Sequence, residues 1–229
     1  MKKLILLCVL LGISIITFSQ EKNFHFGASF NAKITHSDFN QEYFDDSHNE
    51  FSFTLSGNIY FNVGKKFHLI SGLSFSQYYF NLIDYSPIFV CDLISGGVDP
   101  KNSYVKNRYS TSYFGIPLEV RWKIAGEKNN LYFQFGFEGL YKIGLNEKPI
   151  LYECNEGNGT ELEQWPFQSY DVNKFLLLSK IGIGYEFRLN EKLNLFFEPN
   201  IEYSLIDYFK LEDITSKFFN IGLNTGIVF

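Results

Sequence analysis

Long apolar runs are nearly absent from this sequence. A single one lies between Leu4 and Phe18, and the mean hydropathy is -0.08. A polytopic helical membrane protein is thereby excluded, because each helical span takes about 20 consecutive apolar residues. No segment carries a sustained helical apolar stripe. A basic surplus is lacking too. The chain has 20 Lys+Arg against 25 Asp+Glu, a formal net charge of -5, and no basic patch, so nucleic acid is not a partner. Cysteine is limited to 3 residues.

The one apolar run reads as an export address. Met1 to Gln20 is M-K-K, then L-I-L-L-C-V-L-L-G-I-S-I-I-T-F, then S-Q, the charged, apolar and small-residue layout of a secretory signal. Residues 1–20 are thus the expected signal peptide and 21–229 the exported domain, with cleavage near Ser19 or Gln20. Cys8 sits inside the run instead of closing it, so it is read as an incidental apolar residue. Cys91 and Cys154 remain, an even number outside the cytoplasm, and they predict one disulfide, with two free thiols as the alternative.

Aromatics are abundant, at 19% with 26 Phe and 15 Tyr, and they favour strands. In F-H-F-G-A-S-F-N-A-K-I-T, Phe24, Phe26, Ala28, Phe30, Ala32 and Ile34 share one face of an extended strand, and the polar residues share the other. The pattern recurs over eight segments: 23–35, 50–63, 66–81, 108–125, 130–145, 175–189, 192–205 and 217–229. Their connections alternate. V-G-K-K, A-G-E-K-N-N and L-N-E-K are short polar turns, whereas about 36–49, 82–107, 146–174 and 206–216 are long and polar. An all-β, up-and-down antiparallel meander with short turns at one end is the layout of an outer-membrane barrel.

Charge placement decides which face meets water. The apolar faces carry no Asp, Glu, Lys or Arg between the strand ends. The opposite faces hold Lys33, Glu119, Arg121, Lys123, Glu138, Lys142, Lys180, Glu186, Arg188, Glu198 and Glu202, together with Gly27, Gly72, Gly115, Gly136, Gly182, Gly184, Gly222 and Gly226. An eight-stranded interior is only wide enough for packed side chains or one small ligand, and more than a dozen Phe do not fit there. Apolar side chains outward and a polar lumen resolve the conflict. A Lys or Arg facing lipid near the midplane would cost about 2 to 4 kcal/mol, which accounts for the absence of both from that face. Closure follows, since no free strand edge can face lipid.

With the signal, the eight strands, the segment Y-F-G-I-P-L-E-V-R-W (Tyr113 to Trp122) and the terminal Phe229, the chain resembles the PorT-like outer-membrane β-barrel family of Bacteroidota. The resemblance covers the mature chain. It implies an OmpA-like eight-stranded barrel in the cell outer membrane, and one branch of the family is associated with a protein secretion system. It implies no single activity.

Glu119, Arg121, Lys123, Glu138, Lys142, Lys180, Glu186, Arg188, Glu198 and Glu202 are expected to form an ion-pair network that plugs the lumen, because unpaired charges in a narrow lumen are expensive. Pro117 lacks a ladder donor and is expected to mark a bulge or kink. Trp122, Tyr132, Tyr141, Tyr185 and Tyr203 lie toward strand ends, the outward ones being candidates for interfacial girdles. The acidic loop with Asp38, Glu42, Asp45, Asp46 and Glu50 matches no calcium-loop spacing and reads as solvated. Ser47 beside His48 is adjacency without a catalytic dyad. No catalytic residue, metal site or cofactor is expected. S-P-I-F-V-C (Ser86 to Cys91) and K-P-I-L-Y-E-C (Lys148 to Cys154) share a Pro-Ile start, an apolar run and a terminal Cys, so they are expected as short strands above the membrane joined by Cys91 and Cys154.

The sequence therefore predicts a non-enzymatic barrel whose partners are outer-membrane lipid and a protein or ligand at the exposed loops. The alternatives are a small pore or ligand transporter, a lipid-modifying enzyme and a secretion-system component.

Overall fold

A computed structural model describes residues 24–39, 44–45, 50–64, 66–84, 104–125, 129–152, 159–161, 171–210 and 216–229. The expected signal peptide and both Cys91 and Cys154 lie outside the described residues, as do Ser47, His48 and the S-P-I-F-V-C segment.

Eight long strands are formed: β1 (Phe24–Phe39), β2 (Glu50–Val63), β3 (Phe67–Asp84), β4 (Tyr104–Ala125), β5 (Asn130–Tyr152), β6 (Phe175–Arg188), β7 (Asn194–Ser204) and β8 (Ser216–Val228). Each pairs antiparallel with its neighbours in sequence, and β8 returns to pair with β1 from Gly27↔Val228 to Phe39↔Ser216. The ring is closed. Reciprocal backbone bonds seal the seam, Phe26 N to Phe229 O at 3.0 Å and Phe229 N to Phe26 O at 2.8 Å. Two short strands add to the long-loop end, Phe44–Asp45 on β3 and Gly159–Glu161 on β5. At the other end, Gly64 takes φ 80 in the turn from β2 to β3, a left-handed conformation that a residue without Cβ adopts cheaply.

Two strands run further than their alternation shows. Tyr104 to Asn107 pair with Tyr152 to Pro149, carrying the β4–β5 ladder beyond the segments in which apolar and polar residues alternate. Past the hydrocarbon a hairpin no longer needs an apolar face, so its ladder leaves no period-2 trace in the sequence. Lys148 to Tyr152 are the end of β5, while Gly159–Glu161 pairs along the other edge of Ile150 to Tyr152.

Pro117 does not make a bulge. The β3–β4 register is the same on both sides of it, Ser71↔Leu118 and Ser74↔Gly115, but the ladder is interrupted between those pairs. Pro199 on β7 sits at a similar gap, between Gly182↔Asn200 and Tyr185↔Phe197. A proline removes one donor without adding a residue, so pairing lapses and register survives. The register shifts of the β4–β5 pair fall elsewhere, at Ser112/Tyr113 and Lys123/Ala125.

The apolar faces point outward. Phe26, Phe135 and Phe197 are 48%, 47% and 41% exposed, and Phe53 packs between Phe30 and Phe75 on the same outer surface. Inside, Arg121 is 1% and Glu138 5% exposed. The belt is completed near the short-turn end by Trp122 stacked on Phe67 and by Tyr185 against Phe187, while Tyr141 and Tyr203 also face outward. Tyr132 does not belong to a girdle, because its ring is fully buried in the lumen.

Candidate functional site

The lumen is built in layers. At the short-turn end His25 on β1, Asn62 on β2, His68 on β3, Lys123 on β4 and Asn194 on β7 surround a vestibule of about 340 Å³, with Arg121 at its floor.

Arg121 occupies an aromatic cage. Its guanidinium carbon lies 3.9 Å from the centre of the Tyr132 ring, 4.9 Å from that of Phe196 and 5.0 Å from that of Tyr60. Ring faces carry negative quadrupole density, so three of them replace part of the hydration lost on burial. Inward glycines make the room. A Cβ on Gly184 would lie 2.1 Å from Tyr132 Cζ, and those on Gly226 and Gly27 would come within 2.8 Å of the Phe196 and Tyr60 rings.

Above the cage the charges pair across the barrel. Arg121 donates to Gln134 Oε1 at 2.9 Å and to Glu186 Oε2 at 3.1 Å, and its second terminal nitrogen is 3.8 Å from Glu198. Lys180 Nζ stands 3.3 Å from both Glu119 and Glu198. Gln134 also donates a short bond to Glu119. One layer further, Lys33 Nζ reaches Glu202 at 2.7 Å and donates to the Tyr78 hydroxyl at 3.0 Å. Asn31 and Asn220 donate to the same Glu202 carboxylate at 3.0 and 2.9 Å. Glu138 accepts a short bond from Ser74 Oγ. The free space among these side chains is a cavity of about 20 Å³, roughly enough for a single water.

Lys123 joins the network at the rim, 3.8 Å from Glu186, while two other residues expected in it stand apart. Arg188 is exposed at the short-turn end, where its Nε donates to the Asn190 carbonyl. Lys142 lies at the opposite mouth, donating to Val172 O at 2.6 Å with Asp171 at 3.8 Å. Lys33, which shares the polar face of β1, is by contrast fully inside.

The long-loop mouth is shut by an apolar cap that the charge pattern did not announce. Tyr78, Phe80, Tyr109, Tyr113, Leu140, Leu176, Leu178 and Phe218 turn inward there, and Tyr208 and Phe209 from the β7–β8 connection fold down onto them. Phe80 and Tyr208 ring centres are 4.1 Å apart, and Val172 and Phe209 form a β-bridge between two connections. Burial pushes the Tyr208 hydroxyl pKa up. On the exposed side Lys210 donates to Asp171 at 2.7 Å, and that hydrogen bond holds the Asp171 carboxyl below its usual value. For the aromatics that lie in strands, parity was the available signal, since Tyr78 is in step with Ser74 and Ser76, Tyr132 with Gln134 and Glu138, and Phe196 with Glu198.

A closed eight-stranded antiparallel barrel with an apolar exterior and a charged lumen defines a class, the small outer-membrane barrels. Residues 18–210 match the family model described as the outer membrane protein beta-barrel domain, and the chain belongs to that family. It is an outer-membrane protein. No curated protein matches it by sequence. Among solved structures it is similar to Neisserial surface protein A, at 7% identity and TM-score 0.42 over 90% of this chain and 97% of that one. It is also similar to OprG from Pseudomonas aeruginosa, at 10% identity and TM-score 0.39 over 90% and 94%. Ail, the attachment invasion locus protein of Yersinia pestis, follows at 15% identity and TM-score 0.34 over 92% and 100%. The assignment rests on the register and the family match, not on these distant likenesses.

Proposed function

We propose that the protein is a non-enzymatic, non-conducting outer-membrane barrel whose long loops at the outer end serve a structural or binding role. One observation carries the reading: two seals of different chemistry lie in series along the lumen. The paired layer around Arg121, Lys180 and Glu198 leaves about 20 Å³ of free space, too little for a hydrated ion. The aromatic cap around Phe80, Tyr208 and Phe218 adds a second, dry barrier. A partner at the outer end would be a protein or surface ligand, and Tyr208 and Phe209 are withheld from it because the cap buries them.

The PorT-like resemblance of Tyr113 to Trp122 belongs to the same proposal. That segment alternates wall and lumen, with Gly115, Pro117, Glu119 and Arg121 buried and Phe114, Ile116, Leu118 and Trp122 exposed.

Planar-bilayer recording tests the reading. The protein reconstituted at single-molecule dilution is expected to give no discrete steps in molar potassium chloride. Reproducible open levels would overturn the plug and favour a small pore.

A further inference from the structure

We infer that the short-turn vestibule is a binding site for a small oxyanion, a carboxylate or phosphate presented from the periplasmic side. The inference is independent of whether the lumen conducts. Short turns of outer-membrane barrels lie on the periplasmic side, so the cavity faces that compartment. Its volume of about 340 Å³ falls in the range of small-molecule sites.

The chemistry of the wall selects the sign of the guest. The carboxylate in the wall is already engaged, because Glu186 receives Arg121 at 3.1 Å and Asn194 Nδ2 at 3.2 Å. Donor capacity is left over. The Lys123 ammonium has three N–H groups, and Glu186 is its ion-pair partner at 3.8 Å, beyond hydrogen-bond range. His68 Nε2 and Asn62 Oδ1 are buried without a hydrogen-bond partner among the described residues, and both residues line the cavity. Buried polar atoms without partners are costly, and a guest that draws the His68 ring and the Asn62 amide round toward the cavity removes that cost. A guest rich in acceptors and carrying one negative charge answers the spare Lys123 donors and the His68 ring, which supplies an N–H in its Nε2 tautomer, while Asn62 is satisfied by a hydroxyl or a water carried in with it. Beneath it Arg121 is held by the aromatic cage, so the floor keeps its positive charge fixed without collapsing onto the guest.

The test uses the folded protein in maltoside micelles, in oxyanion-free buffer, titrated with inorganic phosphate and separately with citrate. Sodium chloride at matched ionic strength is the control. The site predicts saturable shifts of the His25 and His68 ring resonances with at least one oxyanion and none with chloride. It also predicts at least about a tenfold weakening in Lys123→Gln, the loss of one charge-assisted contact. His68→Gln, checked for the heat-modifiable folded band, provides the same readout should Lys123→Gln fail to fold. In phosphatidylglycerol nanodiscs, rings already at their bound positions would identify a lipid headgroup as the source, whereas a response only to added phosphate would identify a soluble anion. Shifts that follow ionic strength alone, or binding that neither variant weakens, would overturn the site.

Discussion

The Arg121 guanidinium lies 3.9 Å above the Tyr132 ring, and Tyr132 in turn occupies the space where Gly184 has no side chain. A cation, a ring and a missing methyl group thus form one unit spanning three strands. Gly184→Ala would set a Cβ 2.1 Å from Tyr132 Cζ, so the ring must leave and the cage opens on one side. Overpacking of this kind costs about 1–3 kcal/mol. Urea unfolding in lipid vesicles is expected to show that loss, with Gly57→Ala on the open outer wall near neutral, because nothing lies within 4 Å of its built Cβ.

Buried charges in the lumen should behave as pairs. Lys33→Met leaves Glu202 buried without its cation at 2.7 Å, and breaking a buried pair costs about 3–5 kcal/mol. The double variant Lys33→Met/Glu202→Gln removes the charge as well as the partner and keeps an acceptor for one of Asn31 and Asn220. It is expected to be more stable than Lys33→Met alone in the same unfolding assay. A double variant less stable than the single one would contradict the pairing.

Acid should loosen the outer cap. The hydrogen bond from Lys210 lowers the Asp171 pKa from its ordinary 3.8, so the folded state binds that proton less readily than the unfolded chain does. The associated stabilisation is present above the ordinary value and is lost as pH falls through the lowered one. Asp171 is exposed, so the effect is local and screened by salt. Asp171→Asn at neutral pH is expected to speed amide exchange at Asn173 and Lys210, which bond to Tyr208 O and Asp171 O across the cap, and to leave β6 amides unchanged. Unchanged exchange at both positions would count against the latch.

The seals are expected to act independently. Replacing Tyr208 and Phe209 with Ala removes rings packed on Phe80 and Tyr109 but leaves the Arg121–Glu198–Lys180 layer in place. Bilayer recordings of this variant should stay silent. Conductance from the cap variant alone would show that the ionic layer is permeable.

Much of this architecture was legible because a lipid-facing strand must alternate. Phe24 to Ile34 gave β1, and the exclusion of charge from one face gave the inside-out polarity. Legibility ended where lipid no longer constrains the chain: Tyr104 to Asn107 and Asn146 to Tyr152 extend a ladder past the alternating segments without a patterned face. The inward rings were overlooked for another reason. Aromatics on an apolar face and aromatics in step with Glu198 or Glu138 look alike in composition, and only strict parity separates Phe197, outside, from Phe196, inside. Arg188 and Lys142 share the parity of Glu186 and Glu138, but Arg188 ends β6 and Lys142 lies at the long-loop mouth midway along β5, where parity no longer fixes burial.

Intermolecular NOEs between lipid acyl methylenes and ring protons test the inverted barrel most directly. In nanodiscs the account predicts strong acyl contacts for Phe135 and Phe197 and none for Tyr132 and Phe196. Acyl contacts to Tyr132 and Phe196, with Phe135 and Phe197 silent toward lipid, would contradict it.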